Sequence, residues 1–407
     1  MPPPGEAVPD LAFDPFDAAQ TQDMWPLMAE FRRRRPVAHM PGGFVYVSRY
    51  RDTERVLRDS ETFSNAGGMR PSGLEVPLED RSIGETVPPV HGPVRRLAMV
   101  AAQSPRIVEA ARPFARETAL SLIERLAARG GGDLIEHLSL ALTNAVIGRL
   151  LGVSPEESAQ LAVWGEEIMQ STLTTLNRTE RGVGYAGAFP EFTRYLEDLA
   201  RERMRGADPD DTIARIVEAG FGEEELTVPV VRMILLNLVL GGTATTRDFI
   251  GSLLLELLLR PELHEQVRAQ PELVSVAAEE SLRVAPPVLY LIRTCTERCE
   301  LGEAVIEAGE RVVVGIASAN RDEEIYEDGE RFRLDRVDPA SHFSFGFGRH
   351  FCVGAGLARM EGQEALRAFV ERFAPGEIRL PADYRLERMP LPYMYGPLRL
   401  DAEIGAA

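Results

Sequence analysis

The segment from Val228 to Leu259 constrains the fold of this chain more than any other part of the sequence. It contains about 32 residues and would be about 48 Å long if it were helical throughout. A helix of that length that is apolar on most of its faces must cross the middle of a large core. Asn237, Gly241–Gly242, Arg247 and Asp248 make the segment too polar for a lipid span. We therefore expect a large folded core and no membrane segment.

The rest of the chain indicates one mainly α-helical domain with a small β portion. Helical patterns dominate up to about residue 284; Ile135, Leu138, Leu142 and Val146, for example, recur at helical spacing. After residue 285, short apolar runs bounded by glycine are typical of strands. The predicted strands are Gly42–Ser48, Val288–Thr294, Ala304–Ile306 and Arg311–Ile316, and two of the predicted helices are Arg51–Asp59 and Gly356–Val370.

The domain boundaries follow from composition at the two ends. Residues 1–10 contain four prolines and are predicted to be a flexible tail, residues 11–401 a single domain, and residues 402–407 a second tail. The region 64–93 is rich in glycine, proline and charge, and a long irregular stretch of this kind is usually functional.

Composition excludes several classes of function. The chain has 407 residues and a formal net charge of −18, and all 45 of its basic Lys+Arg residues are arginine. Without lysine there is no Schiff-base chemistry and no P-loop lysine, and the acidity disfavours nucleic acid or an anionic membrane as the main partner. The three cysteines cannot form a disulfide framework, and the N-terminus lacks the features of a signal peptide, so we expect a cytoplasmic protein.

The most specific motif is a glycine-rich loop around one cysteine, followed at once by a predicted helix. It runs from Phe345 through Gly346, His350 and Cys352 to Gly354. Glycines allow the backbone to approach a large flat group, and a cysteine just before a helix N-terminus has its thiolate stabilised by the free N–H groups there. A lone thiolate suits the axial position of a haem iron better than a zinc site.

This loop resembles the cysteine signature of the cytochrome P450 family, Phe-Gly-x-Gly-x-x-x-Cys-x-Gly. The resemblance implies the family's fold, in which a long central helix crosses over the haem. It also implies haem b with Cys352 as the axial ligand of the iron, and Phe345, Gly346, His350 and Gly354 as cofactor-binding residues.

Further positions resemble the family in the correct order along the chain. Glu280 and Arg283 match its Glu-x-x-Arg motif, and Arg336 matches a later arginine; the implied role of these three is structural. His91 and Arg95 match a His-x-x-x-Arg motif that binds haem propionates, and Arg293 and His350 match other propionate partners.

The centre of the long helix carries the implied catalytic residues Gly242, Ala244 and Thr245. Gly242 matches a glycine that opens a groove for oxygen, and Thr245 a threonine that helps to deliver protons. A hydroxyl here could instead only kink the helix by bonding to the preceding turn. The family usually has an acid where Ala244 stands, and alanine cannot relay a proton. Water or another acid such as Asp248, a polar group of the substrate, or peroxide chemistry could each compensate.

The resemblance also implies a substrate pocket and an electron donor. We expect a soluble bacterial-type monooxygenase, a monomer, that takes electrons from a ferredoxin or flavodoxin-type partner with its reductase and oxidises a mid-sized hydrophobic molecule. A basic patch of Arg96, Arg106, Arg349 and Arg359 is predicted to receive the donor. The alternatives are peroxide-driven or non-hydroxylating chemistry and, third, a haem-binding protein without turnover. The predicted pocket residues are Met69, Leu74, Ile83, Met169, Leu173, Leu238, Gly241, Val288, Leu289, Tyr393 and Met394.

Overall fold

The computed structural model describes residues 24–68, 75–171, 184–206, 212–221 and 225–405, and five isolated positions between residues 11 and 19. Within these residues, the α-helices are α1 Trp25–Arg34, α2 Tyr50–Arg58, α3 His91–Ala102, α4 Pro105–Ala128, α5 Ala141–Leu151, α6 Pro155–Ser171, α7 Gly184–Ala188, α8 Pro190–Gly206, α9 Thr212–Ala219, α10 Val228–Gly242, α11 Ala244–Leu259, α12 Pro261–Ala269, α13 Leu273–Val284, α14 Ile316–Ala319 and α15 Ala355–Arg372. The strands are β1 Val37–Met40, β2 Phe44–Val47, β3 Phe63–Ser64, β4 Gly131–Asp133, β5 Leu291–Cys295, β6 Cys299–Leu301, β7 Ala304–Ile306, β8 Arg311–Val314, β9 Ile378–Arg379 and β10 Asp401–Ile404. Short 3₁₀ turns occur at Leu78–Asp80, Ile83–Glu85 and Gly348–His350, and a π-helical turn, Ile135–Leu140, leads into α5.

The helical core is centred on α11 and α15. Helix α4 packs along α15, and α11 contacts both α13 and α15. The approach of α11 to α15 is close at Gly362, where an added Cβ would lie 2.3 Å from the Phe249 ring. Gly362 therefore sets the spacing between α11, which belongs to the long apolar segment, and α15, which follows the cysteine.

The predicted long helix is present as α10 and α11, which meet at Thr243. That residue has φ −87° and ψ −72°, and its hydroxyl donates to the Val239 carbonyl at 2.9 Å. By length and composition the combined helix could cross a membrane, but 67% of its most apolar stretch is buried inside the protein. It therefore has the burial of a core helix.

The largest sheet has the strand order β1-β2-β8-β5-β3. Strands β2 and β8 are parallel, with Val45 opposite Val312, and the other neighbouring pairs are antiparallel. Its valines form a second core with Phe63 and Cys295. This sheet holds Arg293 in the middle of β5.

The mainly helical fold with a small β portion is as predicted, and the differences are at boundaries. The strand predicted from Val288 begins only at Leu291, because Val288 follows two prolines and forms just an isolated bridge to Met394. The strand predicted to reach Ile316 ends at Val314, and Ile316 begins α14. Residues 402–404, predicted to lie in a tail, belong to β10, which pairs with β4 and β9, so the folded part extends past residue 401. The predicted tail 1–10 lies outside the described residues.

Candidate active site

The cysteine loop, residues 342–354, is shaped by two glycines in the left-handed region. Gly346 has φ +70° and Gly348 has φ +68°, values that residues with a side chain rarely adopt. The Gly346 N–H donates to the Phe343 carbonyl at 2.8 Å, and the Cys352 N–H donates to the Phe345 carbonyl at 2.8 Å. The loop therefore folds back on itself and brings Cys352 to the start of α15.

The loop is anchored to the helical core through one asparagine and one serine. The Phe343 N–H donates to Asn320 Oδ1 at 2.7 Å, and Asn320 Nδ2 donates to Ser344 Oγ at 2.9 Å. Ser344 Oγ in turn donates to the Leu282 carbonyl at the end of α13, at 2.6 Å. These bonds fix the position of the loop relative to α13.

The surroundings of Cys352 oppose and favour its ionisation at the same time. Burial raises the pKa of the Cys352 thiol, while the N–H groups of Gly354 and Ala355 and the charges of Arg95 and Arg359 lower it. A metal ion bound to a thiol deprotonates it outright. The positive charge of a bound iron would therefore hold Cys352 as a thiolate in this buried position.

Two arginines and two histidines lie around this loop. The rings of His91 and His350 are 4.2 Å apart between centroids, and Arg95 Nη2 donates to the Phe351 carbonyl at 2.8 Å. Arg293 is only 4% exposed, and its Nη1 donates to a backbone carbonyl of its own strand. The structure thus brings together all four residues that were predicted to hold propionates.

No carboxylate within the described part of the chain pairs with any of these four side chains. His91 Nε2 is buried and has no hydrogen-bond partner among those residues. Burial lowers the pKa of Arg293 to about 10. Burial, followed by the charges of His91 and Arg293, lowers the pKa of His350 to about 3. An arginine that is buried without an anion is costly, so this group of side chains fits the carboxylates of a haem.

A cavity of about 500 Å³ lies between the cysteine loop, α15 and the junction of α10 and α11. Most of its lining is apolar, and its size is in the usual range for small-molecule sites. The predicted site residues that line it are Gly242, Thr245, Phe345, Gly346, His350, Cys352 and Gly354, together with the predicted pocket residues Leu238, Gly241 and Val288.

The other predicted pocket residues that the structure describes do not line this cavity. Tyr393 donates its hydroxyl to the Met169 carbonyl at 3.2 Å, and its own carbonyl accepts the Leu289 N–H. Met394 forms the backbone bridge to Val288, which lines the cavity. Leu289, Tyr393 and Met394 therefore form a layer behind the cavity wall. Ile83 contributes a backbone N–H to Asn237 Oδ1, and its neighbours line the cavity in its place. Met69, Leu74 and Leu173 lie outside the described residues.

Several lining residues were missed by the sequence interpretation. They include Ile147 and Leu150 at the end of α5, and a face of α15 formed by Leu357, Ala358 and Glu361. The spacing of those three is that of one helix face, so helical periodicity after Cys352 was the signal that could have found them. Nothing local in the sequence indicates that α5 reaches the site, because that contact is tertiary.

The helix junction places Thr245 on the cavity wall but not Ala244. The Thr245 hydroxyl donates to the Gly241 carbonyl at 2.7 Å, which is the bonding to the preceding turn that kinks helices. Ala244 is 4% exposed and does not line the cavity. Gly242 lies against α5, where an added Cβ would come within 2.5 Å of Ile147 Cδ1.

Asp248, the alternative acid, is buried beside an arginine. Arg247 Nε donates to Asp248 Oδ1 at 2.8 Å, and Arg247 Nη1 donates to Glu166 Oε2 at 2.7 Å. Burial raises the pKa of Asp248 to about 6 although Arg247 opposes the shift. Asp248 does not line the cavity.

Glu280, Arg283 and Arg336 form one buried charge cluster. Arg283 Nε and Nη2 each lie 2.8 Å from a Glu280 oxygen, and Arg336 Nε lies 2.8 Å from Glu280 Oε1. Arg283 also donates to the carbonyls of Asn320 and Gly329. Because Asn320 holds the cysteine loop, the cluster supports the loop through one intermediate residue.

Comparison with known proteins agrees with this geometry. The family model described as "Cytochrome P450" matches residues 36–379. The chain is 32% identical over 369 residues to cytochrome P450 130 of Mycobacterium tuberculosis, covering 87% of this chain and 89% of that protein. It is 30% identical over 355 residues to a protein of the same organism named steroid C26-monooxygenase, covering 86% of this chain and 92% of that protein. The solved structure of cytochrome P450 CYP109Q5 from Chondromyces apiculatus superposes with a TM-score of 0.85 at 30% identity, covering 98% of this chain and 99% of that one.

Proposed function

The chain belongs to the cytochrome P450 family and is a haem-thiolate monooxygenase, and we propose that it inserts one oxygen atom from O2 into a mid-sized hydrophobic small molecule. The observation that carries the proposal is that Cys352 and Thr245 line one cavity whose walls are otherwise mostly apolar. The bound haem supplies oxygen activation and transfer, and its thiolate ligand favours O–O cleavage.

The residues of this chain would hold the haem at its iron and at its propionates. Cys352 is the ligand of the iron, supported by the N–H groups at the start of α15. Arg95, Arg293 and His91 bind the propionates, and the orphaned His91 Nε2 supports that assignment. Phe345, Gly346 and Gly354 shape the surface against which the haem packs.

The polar side chains that the long helix contributes to the cavity wall are those of Asn237, Thr245 and Thr246. The Thr245 hydroxyl donates to the Gly241 carbonyl, and its oxygen can also accept a hydrogen bond from a water molecule that carries a proton. The apolar walls exclude bulk water and select for an apolar substrate. A bound haem would occupy part of this cavity, because Cys352 lines it. Terpenoids, steroids, aromatic compounds and polyketides of moderate size are the candidate classes, and one relative is named a steroid C26-monooxygenase.

We propose that the electron donor is a ferredoxin or flavodoxin-type protein, that the enzyme is a monomer, and that it works in the cytoplasm. Arg96, Arg106 and Arg349 are exposed and can attract an acidic donor despite the net charge of −18. Arg359 is not part of that patch, because it binds both oxygens of Glu279 at 2.7 and 2.8 Å.

Peroxide-driven chemistry is the second candidate function, and Ala244 is the observation that favours it. The two candidates separate in one experiment on the purified holoenzyme. Compounds are first screened for a low-to-high spin shift of the haem, and product from a binding compound is then measured with an NAD(P)H–ferredoxin chain and with hydrogen peroxide. We expect product chiefly with the redox chain; product with peroxide alone would overturn the proposal in favour of the second candidate.

A further inference from the structure

Cys295 and Cys299 form a close pair of thiols outside the haem site. Cys295 ends β5 and Cys299 begins β6, and their Sγ atoms are 3.7 Å apart. Neither residue lines the cavity that contains Cys352. The function proposed above uses Cys352 alone, so it gives this pair of thiols no role.

The backbone holds both cysteines against one neighbouring segment of the chain. The Cys295 N–H donates to the Glu310 carbonyl at 2.9 Å, and the Gly309 N–H donates to the Cys295 carbonyl at 2.8 Å. Cys299 lies opposite Ile306 in the β6–β7 hairpin. A disulfide has an S–S bond of about 2.05 Å, so the two sulfurs must approach by less than about 2 Å, which rotation of the two side chains can supply. The fold therefore holds the two thiols close enough to be joined.

The two cysteines differ in their access to a dissolved reagent. Cys295 is buried, whereas Cys299 is partly exposed. Burial, followed by the neighbouring Cys299 thiol, raises the pKa of Cys295 to about 11. Thiols are oxidised as thiolates and where the oxidant can reach them. An oxidant should therefore react first at Cys299, with Cys295 beside it as the second thiol.

We propose that Cys295 and Cys299 are a redox-sensitive pair that hydrogen peroxide converts into a reversible disulfide. The Cys299 thiolate attacks one oxygen of the peroxide, the O–O bond breaks, and hydroxide leaves and takes up the proton of that thiol as water. The Cys295 sulfur then attacks the Cys299 sulfenic acid, the S–O bond breaks, and a second water leaves with the Cys295 proton. The two thiols together lose two electrons and two protons, and one peroxide is reduced to two waters.

The first test maps the bond in the holoenzyme after a brief exposure to hydrogen peroxide, which catalase then removes. Trypsin cleaves after arginine, and Arg298 separates the two cysteines into peptides 294–298 and 299–311. We expect these peptides to be joined in the oxidised protein, with the mass of two hydrogen atoms lost, and to separate when a thiol reductant is added. Peptides that stay separate, or that are joined only in covalent dimers on a non-reducing gel, would overturn the proposal.

The second test counts free thiols in variants of each cysteine. When it is unfolded after oxidation, the wild type should carry one free thiol, the three of the sequence less the two in the bond, whereas Cys299→Ser should keep both of its thiols. Cys295→Ser should accumulate the Cys299 sulfenic acid, which dimedone captures. A Cys299→Ser protein that loses thiols as the wild type does would overturn the pairing, and Cys295→Ser without the dimedone adduct would overturn Cys299 as the first thiol to react.

The carbon monoxide spectrum separates this inference from the proposed function. The oxidation needs neither substrate nor electron donor, and Cys352 takes no part in it. The oxidised protein should therefore keep the red-shifted Soret band of thiolate ligation. Loss of that band while Cys295 and Cys299 stay reduced would overturn the inference, because the peroxide would have reacted at the haem site instead. A wild type that forms the disulfide but oxidises no hydrophobic compound would contradict the proposed function and leave the inference standing.

Discussion

At the scale of single residues, the site depends on buried polar side chains that have no ion-pair partner among the described residues. Arg293 is 4% exposed in the middle of β5, and its Nη1 donates to the Ile292 carbonyl. His91 Nε2 has no hydrogen-bond partner among the same residues. Such groups are costly to bury unless a ligand forms hydrogen bonds with them. The affinity for haem should therefore depend on these side chains.

Replacing Arg293 by glutamine should weaken haem retention. A charge-assisted hydrogen bond contributes about 1.5–3 kcal/mol, so haem affinity should fall by about tenfold or more. The rate of haem loss to a scavenging apoprotein measures this directly. Arg298→Gln is the matched control, because Arg298 forms a surface pair with Glu307 on the next hairpin. Equal rates of haem loss in the two variants would remove Arg293 from the propionate site.

How far sequence alone could predict the site depends on whether a residue acts through local or tertiary structure. Cys352, Gly346 and Gly348 belong to one short loop whose backbone requirements can be inferred from the motif. Leu289 follows the lining residue Val288 and donates its N–H to the Tyr393 carbonyl, but only packing decides that Leu289 and Tyr393 lie behind the cavity wall and not on it. The same limit applies to Ile147, which reaches the cavity because α5 packs against α10.

At the scale of elements, the charge cluster joins α13 to the segment before the cysteine loop. Glu280 is fully buried and accepts hydrogen bonds from Arg283 and Arg336. Arg336 reaches it from 56 residues further along the chain. Side-chain hydrogen bonds therefore hold α13 against the segment that precedes the cysteine loop.

Arg336→Ala should destabilise the fold strongly. It leaves Glu280 with Arg283 and the Arg333 N–H as partners, and loss of one member of a buried ion pair costs at most about 3–5 kcal/mol. Denaturant unfolding of the holoenzyme measures the change. Arg333→Ala is the control, since Arg333 pairs with Asp335 at the surface, and it should change little. If both variants unfolded at the same denaturant concentration as the wild type, the cluster would not support the loop.

At the scale of the whole molecule, the chain is acidic overall, and some of its buried acids are kept ionised by neighbouring basic side chains. Glu279 accepts hydrogen bonds from Arg359 and lies 3.2 Å from His342 Nε2. Burial alone would raise the pKa of Glu279, but the hydrogen bonds from His342 and Arg359 outweigh it and lower the pKa to about 2. This cluster links α13 to α15, the helix that begins where the cysteine loop ends.

The shifted Glu279 predicts a pH-dependent stability. Its pKa is lower in the folded protein than in the unfolded chain, so its contribution is full above about pH 4.5 and is lost as the pH falls toward 2. That contribution is about 3 kcal/mol by linkage. Unfolding free energies measured across this range should fall less steeply for Glu279→Gln than for the wild type. The exposed Glu262→Gln should keep the wild-type slope, and a Glu279→Gln protein with that same slope would show that the cluster is not formed.

The central claim is that the Cys352 thiolate holds a haem iron, and the reduced protein under carbon monoxide tests it most directly. Thiolate ligation shifts the Soret band strongly to the red, so the wild type should show that shifted band. Cys352→Ala should lose it, whereas Cys299→Ala, which removes a cysteine of the β6–β7 hairpin, should keep it. A wild-type spectrum of the histidine-ligated type, or a shifted band that survives in Cys352→Ala, would contradict the account.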